Sequence, residues 1–316
     1  MIQSRAPDWV GVSLTHRRFG QLAPARPLGQ FLTTVVAFLA GPLPASAAEA
    51  DPTVAAVAES AAHGFAEVAV KTAYITPRGL VVVTDGATLQ PLAGLALGLH
   101  EGDGLFERVS ITTGVWNNLS TAQDSEYVGT WNEFDFFTGL SARLLRRLDV
   151  GATYVLFASP PHNFRPEHNV EFSLAFDDAD FLRGAALHPY AKLFWAVAGD
   201  SVVLLGDEGG AFDTELGVAP GTTLGAAKVR LALPTFVTLG GPGFFGDGGV
   251  LGIVSTSLSA SAPLAFVPGR FGDWQLSLAV AYFHLFNDSL VAASQALGNG
   301  GDRNRVVAST ALGMGF

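Results

Sequence analysis

The chain has 316 residues, of which 18 are Lys or Arg and 28 are Asp or Glu, so 15% are charged, against about 25% in an ordinary soluble domain. Hydrophobic residues make up 49%, but they are scattered among 37 glycines and almost never form the unbroken run of about 18 that a spanning helix needs, which argues against a helical membrane protein. The lack of cysteine excludes disulfides and thiolate metal sites, and the net charge of −10 argues against a nucleic-acid partner.

The first 47 residues have the three parts of a secretory signal peptide. The positive region contains Arg5, Arg17, Arg18 and Arg26, the apolar core runs from Phe31 to Ala40, and an A-x-A site ends at Ala47. We expect cleavage after Ala47. The long positive region indicates either a start placed upstream of the true one or twin-arginine export. The Ala-rich segment 48–64 would follow as a short periplasmic helix or a disordered stretch.

From about residue 65 onward, apolar residues recur at period two, which is typical of strands with one apolar and one polar face. Val170, Phe172, Leu174 and Phe176, for example, alternate with smaller or polar residues. Twelve strands of roughly ten residues are predicted, the length that a tilted strand needs to cross a bilayer. They are 65–75, 89–99, 105–117, 133–143, 149–158, 168–177, 188–198, 211–219, 226–237, 250–261, 273–285 and 304–316.

The connections between these strands alternate in length, as in outer-membrane barrels with short periplasmic turns and longer external loops. With both termini periplasmic, the turns are 100–104, 144–148, 178–187, 220–225 and 262–272. The external loops are 76–88, 118–132, 159–167, 199–210, 238–249 and 286–303. The sequence therefore predicts an all-β fold, a transmembrane antiparallel up-and-down barrel spanning 65–316.

A secreted β-sandwich or solenoid would also alternate, but two features favour the membrane barrel. The polar face of several strands is Gly, Ala and Ser with isolated charges, as in a lumen. Aromatic residues also lie at strand ends, as in the girdles at a lipid–water boundary: Tyr74, Phe134, Trp195, Phe212 and Tyr282 on the external side, Trp274 and Phe316 on the periplasmic side.

The last twelve residues, RVVASTALGMGF, place Leu312, Met314 and Phe316 on one face. This segment resembles the closing strand of Gram-negative outer-membrane proteins, in which a terminal Phe and alternating apolar positions are read by the barrel-assembly machinery. Over roughly 130–316, the layout is similar to the TorF-type family of porin-like proteins, on a hairpin from Asp149 to Pro161 and a strand from Glu167 to Asp177. Trp and Phe stand where that family has more Tyr. The resemblance implies an outer-membrane location and a porin-like role.

No catalytic motif is present, so we predict no enzymatic activity and no cofactor. No His is followed two residues later by Ser, and neither a G-x-S-x-G elbow nor an H-E-x-x-H helix occurs. Gly241, Gly243 and Gly246 form a lone G-x-G-x-x-G without a β-α-β unit, which indicates a mobile loop rather than a phosphate site. His162, Glu167 and His168 share one predicted loop, but ordinary surface histidines are favoured over a metal site.

The predicted lumen carries twelve charged residues, six of each sign, which indicates paired structural ions or a water-filled channel without a clear ion preference. If the hairpin over 220–225 is symmetric, Glu215 faces Arg230 across it. The twelve residues are Glu67, Lys71, Asp135, Arg143, Glu171, Asp177, Lys192, Asp213, Glu215, Lys228, Arg230 and Arg305.

These features predict a narrow porin or uptake channel for passive passage of small solutes. The alternative is a closed barrel with a structural or adhesive role through its external loops. The expected partners are outer-membrane lipid, lipopolysaccharide, the barrel-assembly machinery and small solutes, with no nucleic acid. The external acids either bridge to lipopolysaccharide through divalent cations or, as we favour, form a solvated loop surface: Asp124, Glu126, Asp200, Asp207, Glu208, Asp247, Asp288 and Asp302.

Overall fold

The computed structural model describes residues 62–121, 129–162, 164–182, 184–198, 210–225, 227–246 and 249–316. The predicted signal peptide 1–47 lies outside these residues, as does segment 48–64 up to residue 61. The described chain contains sixteen strands and two α-helices. They are β1 (Ala62–Lys71), β2 (Tyr74–Ile75), β3 (Val81–Val83), β4 (Thr88–Glu101), β5 (Phe106–Ser120), β6 (Trp131–Leu144), β7 (Leu148–Ala158), β8 (Glu167–Phe176), α1 (Ala179–Leu182), β9 (Tyr190–Ala198), β10 (Phe212–Val218), β11 (Gly221–Leu224), β12 (Val229–Ala232), β13 (Thr235–Gly240), β14 (Leu251–Pro263), β15 (Asp273–Leu285), α2 (Asp288–Ala296) and β16 (Asn304–Gly315). No helix in the described ranges is long and apolar enough to span a bilayer.

The long strands form one closed antiparallel ring. Each pairs with its neighbours along the chain, β14 pairs with β15, and β1 pairs with β16 to close the ring. When the β10–β11 and β12–β13 segments are each taken as one interrupted strand, the ring has twelve members, which confirms the predicted barrel and its strand count. Because the ring is closed, its backbone ladder leaves no free edge around the wall.

The two ends of the barrel differ. The chain termini meet at one end, where the Gly64 N–H donates to the Phe316 carbonyl at 2.6 Å; we call this the terminus end. The turns at 102–105, 145–147, 177–182 with 184–189, 225 with 227–228, and 264–272 lie there. The described parts of the other connections lie at the opposite end, which we call the loop end: 72–87, 129–130, 159–162, 164–166, 210–211, 241–246, 249–250 and 286–303.

The hairpin of β10 to β13 departs from the predicted register. Its turn is at Gly225–Lys228 rather than 220–225, and Leu224 pairs with Val229. Pro220 and Pro234 lie on the two facing strands, one position out of register with each other. Because proline has no N–H to donate to the ladder, each long strand is interrupted there. The Pro-Gly pair at 220–221 has the composition of a turn, but it marks only this interruption.

The outer face of the barrel is apolar over much of its height. In β15, Leu276, Leu278, Val280 and Tyr282 are 40 to 54% exposed, while Gln275, Ser277, Ala279 and Ala281 face inward. The same alternation of exposed apolar residues occurs in β4, with Leu95, Leu97 and Leu99. A water-soluble protein rarely exposes so large a continuous apolar area.

Glycines on the inner face make room for aromatic rings on the adjacent strand. Phe65 lies directly across from Gly94, Phe137 from Gly114 and Tyr190 from Gly217. A Cβ atom added at Gly217 would lie 2.4 Å from Cζ of Tyr190, closer than carbon atoms approach without displacement. The abundance of glycine on this face is therefore a packing requirement at these positions.

Candidate functional site

The first loop folds into the loop end of the barrel. After Lys71, the chain leaves the wall and forms the β2–β3 hairpin, so β1 ends four residues before the predicted position 75. Tyr74 of this hairpin contacts Trp116 of β5, whereas Val81 packs against Ile253 of β14. These strands lie on different sides of the ring, so the hairpin extends across the lumen.

Two further segments pack on this hairpin, and together we call them the plug: residues 72–87, Phe244 and Phe245, and α2. Val81, Phe244, Phe245 and Leu290 form a fully buried apolar cluster with the wall residues Ile253 and Leu285. Asn299, which follows α2, donates from Nδ2 to the carbonyls of Val81 and Val82 at 2.9 and 3.1 Å. The interpretation of the Gly-rich loop as mobile is therefore wrong at Phe244 and Phe245, because burial of the two rings fixes them.

Arg78 extends from the plug to the far wall. Its Nη1 donates to Oε1 of Glu167 at 2.9 Å, and its Nη2 donates to Oδ1 of Asn169 at 2.9 Å. Its Nε lies 3.7 Å from Oδ1 of Asp213, and the guanidinium carbon lies 5.2 and 5.4 Å from the ring centres of Phe157 and Phe194. The side chain is 6% exposed. Arg78 therefore fastens the plug to four neighbouring strands, β7 to β10.

An acidic wall surrounds this arginine. Six carboxylates on β6, β8 and β10 face the lumen near the loop end, and none is more than 7% exposed: Glu133, Asp135, Glu167, Glu171, Asp213 and Glu215. Contacts with cations come from Arg78 and from Lys192, whose Nζ lies 3.1 Å from Oε1 of Glu215. Tyr74 donates its hydroxyl to Glu133 at 2.7 Å. Acidic groups thus exceed the cations seen in contact with them.

Of the charges predicted for the lumen, Asp135, Glu171, Lys192, Asp213 and Glu215 are brought together in this wall. A second group lies at the terminus end, where Arg143 pairs with Asp177 at 3.2 Å, with Asp149 at 3.4 Å and with Glu107 at 3.4 Å.

The other predicted lumen charges lie apart from both groups. Glu67 and Lys71 share the inner face of β1. Lys228 lies exposed in the hairpin turn, with φ of 50°, and Arg230 lies on β12 near the terminus end. Arg305 donates to the carbonyl oxygens of Asn299 and Asp302 at the loop end. The six positive and six negative charges are therefore not evenly paired along the lumen.

The predicted pairing of Glu215 with Arg230 is wrong. Glu215 lies opposite Thr238 and Lys192, and Arg230 lies opposite Thr223 and Ser261. The error follows from the turn, because moving its centre by four residues changes every partner across the hairpin.

Tyr74 departs from its expected position, and the side chains of the disfavoured metal site lie apart. Tyr74, expected in the external girdle, is 5% exposed within the plug, whereas Trp195, Phe212 and Tyr282 are at least 40% exposed as predicted. His162, Glu167 and His168 do not converge: Glu167 faces Arg78, and His168 accepts or donates a 2.6 Å hydrogen bond with Tyr154. Among the described residues, no group of three His, Asp or Glu side chains is placed to hold a metal ion.

The sequence reasoning missed Arg78, Glu133 and the two buried phenylalanines. An apolar run from Leu80 to Val83 inside a predicted loop and the Phe244–Phe245 pair in a Gly-rich loop were the available signals. The predicted assembly signal is placed on the last strand: Leu312 and Phe316 are exposed on the outer face at 41 and 63%, and Met314 lies between them.

No protein-family model matches the chain, and no curated protein sequence matches it. Comparison with solved structures finds outer-membrane channels and porins among the similar chains. The chain is similar to an outer membrane channel from Pseudomonas putida F1, with 15% identity, a TM-score of 0.42 and coverage of 81% of this chain and 96% of that one. It is also similar to a bacterial polysaccharide outer membrane secretin, with 8% identity, a TM-score of 0.43 and coverage of 81 and 97%.

The NanC porin matches with 11% identity, a TM-score of 0.40 and coverage of 80% of this chain and 98% of that one. The resemblance to the TorF-type family stays a prediction.

Proposed function

We propose that the protein is an outer-membrane barrel that acts as a narrow channel for small solutes. One observation carries this proposal: a closed ring of twelve strands is apolar outside and polar and charged inside. A closed ring satisfies every strand's backbone hydrogen bonds without water, which is the condition for crossing hydrocarbon. An inner face with buried carboxylates and lysine is costly unless its charges are paired or solvated, as in a channel.

We infer that passage is regulated at the loop end, where the plug extends across the lumen. Inner-face side chains toward the terminus end, such as Glu67 and Arg230, are partly exposed, whereas the carboxylates of the acidic wall beside the plug are buried. A solute entering from the outside would therefore meet the plug and the acidic wall first. The lumen charges would act on the solute there rather than evenly along the barrel.

The alternative proposal, a permanently closed barrel with a structural or adhesive role, is favoured by one observation. The plug residues Val81, Phe244, Phe245 and Leu290 are at most 1% exposed. An apolar cluster packed to this degree is typical of a stable core. In that case the loops, rather than the lumen, would carry the function.

Single-channel conductance of the purified protein in a planar bilayer distinguishes the two proposals. The protein is first shown to be folded by a gel on which heated and unheated samples migrate differently. Discrete and stable current steps support the channel. A folded barrel that gives no current, either alone or when the plug is weakened by Phe245→Ala, contradicts the channel and supports the closed barrel.

The outer-membrane location, the cleaved signal peptide and the expected partners belong to the same proposal. Fractionation of the cell envelope tests the location, and the N-terminal sequence of the exported protein tests cleavage after Ala47. Deletion of Phe316 is expected to lower the amount of folded barrel if the assembly machinery reads the last strand. The loop acids, for which a solvated surface is favoured over bridging to lipopolysaccharide, include only Asp288 and Asp302 within the described residues.

A further inference from the structure

The surroundings of Arg78 have the composition of a ligand site for a planar cation. A carboxylate and an amide oxygen accept from its two terminal nitrogens at 2.9 Å each, and a second carboxylate lies 3.7 Å from Nε. The rings of Phe157 and Phe194 lie within 5.5 Å of the guanidinium carbon, a distance at which an aromatic ring attracts a cation. Each of these groups comes from the barrel wall, whereas the arginine comes from the plug.

The wall also has acceptor atoms that form no hydrogen bond with Arg78, although one of them, Oδ1 of Asp213, forms the 3.7 Å ion pair with it. Both carboxylate oxygens of Asp213, Oε2 of Glu171 and Oδ1 of Asp135 are buried and have no hydrogen-bond partner. Asp213 is fully buried, and Glu171 and Asp135 are 6 and 3% exposed. Buried carboxylate oxygens are costly to leave without donors. These oxygens can therefore accept from a donor-rich cation in addition to Arg78 or in its place.

We propose that the lumen contains a binding site for solutes that bear a guanidinium group, and that Arg78 occupies this site in the closed barrel. Glu167 and Asn169 accept from the planar fork, Phe157 and Phe194 contact its faces, and Asp213 and Glu171 supply further acceptors. A guanidinium matches such a site better than an ammonium because its donors lie in one plane and its faces stack on aromatic rings. The proposal rests on the channel function above, since the solute reaches the site through the lumen and competes with Arg78.

Chemical rescue tests the site without requiring current. Arg78→Ala empties the site and leaves its carboxylates without their cation, so the temperature at which the folded band is lost on a gel is expected to fall. Methylguanidinium chloride at millimolar concentration is expected to restore most of this temperature. Methylurea, a neutral molecule of the same shape, and sodium chloride at equal ionic strength are expected not to. Arg146→Ala is the matched control, because its ion pair with Asp103 is exposed, and methylguanidinium is expected to leave this variant unchanged.

If Arg78→Ala does not refold alone, its refolding yield with methylguanidinium is compared with the yield with methylurea. A higher yield with the cation supports the site. Equal yields, or an equal thermal shift from both molecules, overturn it. Replacing Phe157 or Phe194 by Leu in the Arg78→Ala background is expected to raise severalfold the methylguanidinium concentration that rescue requires.

A bilayer recording separates failure of the site from failure of the channel. In Arg78→Ala, methylguanidinium is expected to reduce the current in a concentration-dependent way, and methylurea is not. Rescue of the folded barrel without any current supports the binding site and contradicts the channel. Current that methylguanidinium does not change, together with no thermal rescue, supports the channel and overturns the site.

Discussion

Replacing Phe245 by alanine removes the ring that joins the Gly-rich loop to the rest of the plug. Phe245 is 1% exposed, lies edge-to-face against Phe244 with ring centres 4.8 Å apart, and packs in the cluster that contains Val81, Ile253, Leu285 and Leu290. Glycine at positions 240 and 252 leaves room for the ring, because a Cβ atom at either position would lie within 2.6 Å of it.

The magnitude follows from the burial of the ring. Truncating a fully buried Phe to Ala costs about 3–5 kcal/mol in protein cores. Because the ring joins plug segments to each other and to β14 and β15, most of this cost falls on the packed plug rather than on the hydrogen-bonded barrel wall. A loss of about 3 kcal/mol changes the ratio of open to closed plug by about a hundredfold, since about 1.4 kcal/mol corresponds to a factor of ten.

The assay is the open probability and conductance of single channels, with heat modifiability on a gel as the measure of the barrel wall. We expect Phe245→Ala to open far more often than the wild type while keeping a folded barrel. Phe266→Ala is the control, because Phe266 is 81% exposed in the turn between β14 and β15. An unchanged open probability in Phe245→Ala would refute the assignment of this cluster as the closing element.

Three further predictions concern other parts of the barrel. Gly217→Ala places a Cβ atom 2.4 Å from Cζ of Tyr190, so it should destabilise the barrel by about 1–3 kcal/mol and lower the temperature at which the folded band is lost. Gly315→Ala is the control, because a Cβ atom there has no neighbour within 4 Å, and this temperature should stay unchanged. Lys192→Met removes the cation 3.1 Å from buried Glu215, so the reversal potential in a salt gradient should move toward cation selectivity. Lys228→Met, at an exposed position, should not move the reversal potential. A shift in both variants would contradict a local effect. Burial raises the pKa of Asp178 in the turn after β8, but hydrogen bonds from the His188 and Leu187 N–H groups outweigh it and lower the pKa overall. Since the folded pKa is depressed, the carboxylate stabilises the folded turn at pH above its unfolded pKa of about 3.9, and this contribution is lost as pH falls through the folded pKa. The difference between wild type and Asp178→Asn in the temperature of band loss should therefore shrink over that pH range. A difference that does not depend on pH would contradict this prediction.

The barrel wall was predictable from the sequence because one physical rule governs every strand in it. A strand with lipid-like surroundings on one side and a polar lumen on the other must alternate, and this alternation located most of the long strands, although segments 149–158 and 188–198 alternate poorly. The length of the connections then gave the up-and-down order. The exception was the β10–β13 hairpin, where proline and glycine inside the strands have the same composition as a turn.

The plug was not predictable by the same rule, because its residues do not alternate. A short hairpin, one aromatic pair and a nine-residue helix are held by contacts with distant strands, and the pattern of neighbouring residues does not encode such contacts. The charges show the same limit. The alternation of inward and outward positions places Asp135, Glu171 and Asp213 on the inner face. It does not give the height of each side chain along the barrel axis, and it does not show that Arg78 reaches them from a loop.

The pairing of the first strand with the last sets the order in which the barrel forms. Phe65 pairs with Gly315, so the seam joins residues about 250 positions apart, whereas every other long strand pairs with a near neighbour in sequence. Closing a loop of that length costs about 5 kcal/mol of chain entropy, against about 1 kcal/mol for a short hairpin. The hairpins therefore form first and the seam last. A chain shortened before β16 keeps most of its hairpins, but it leaves two strand edges without partners and does not complete the ring.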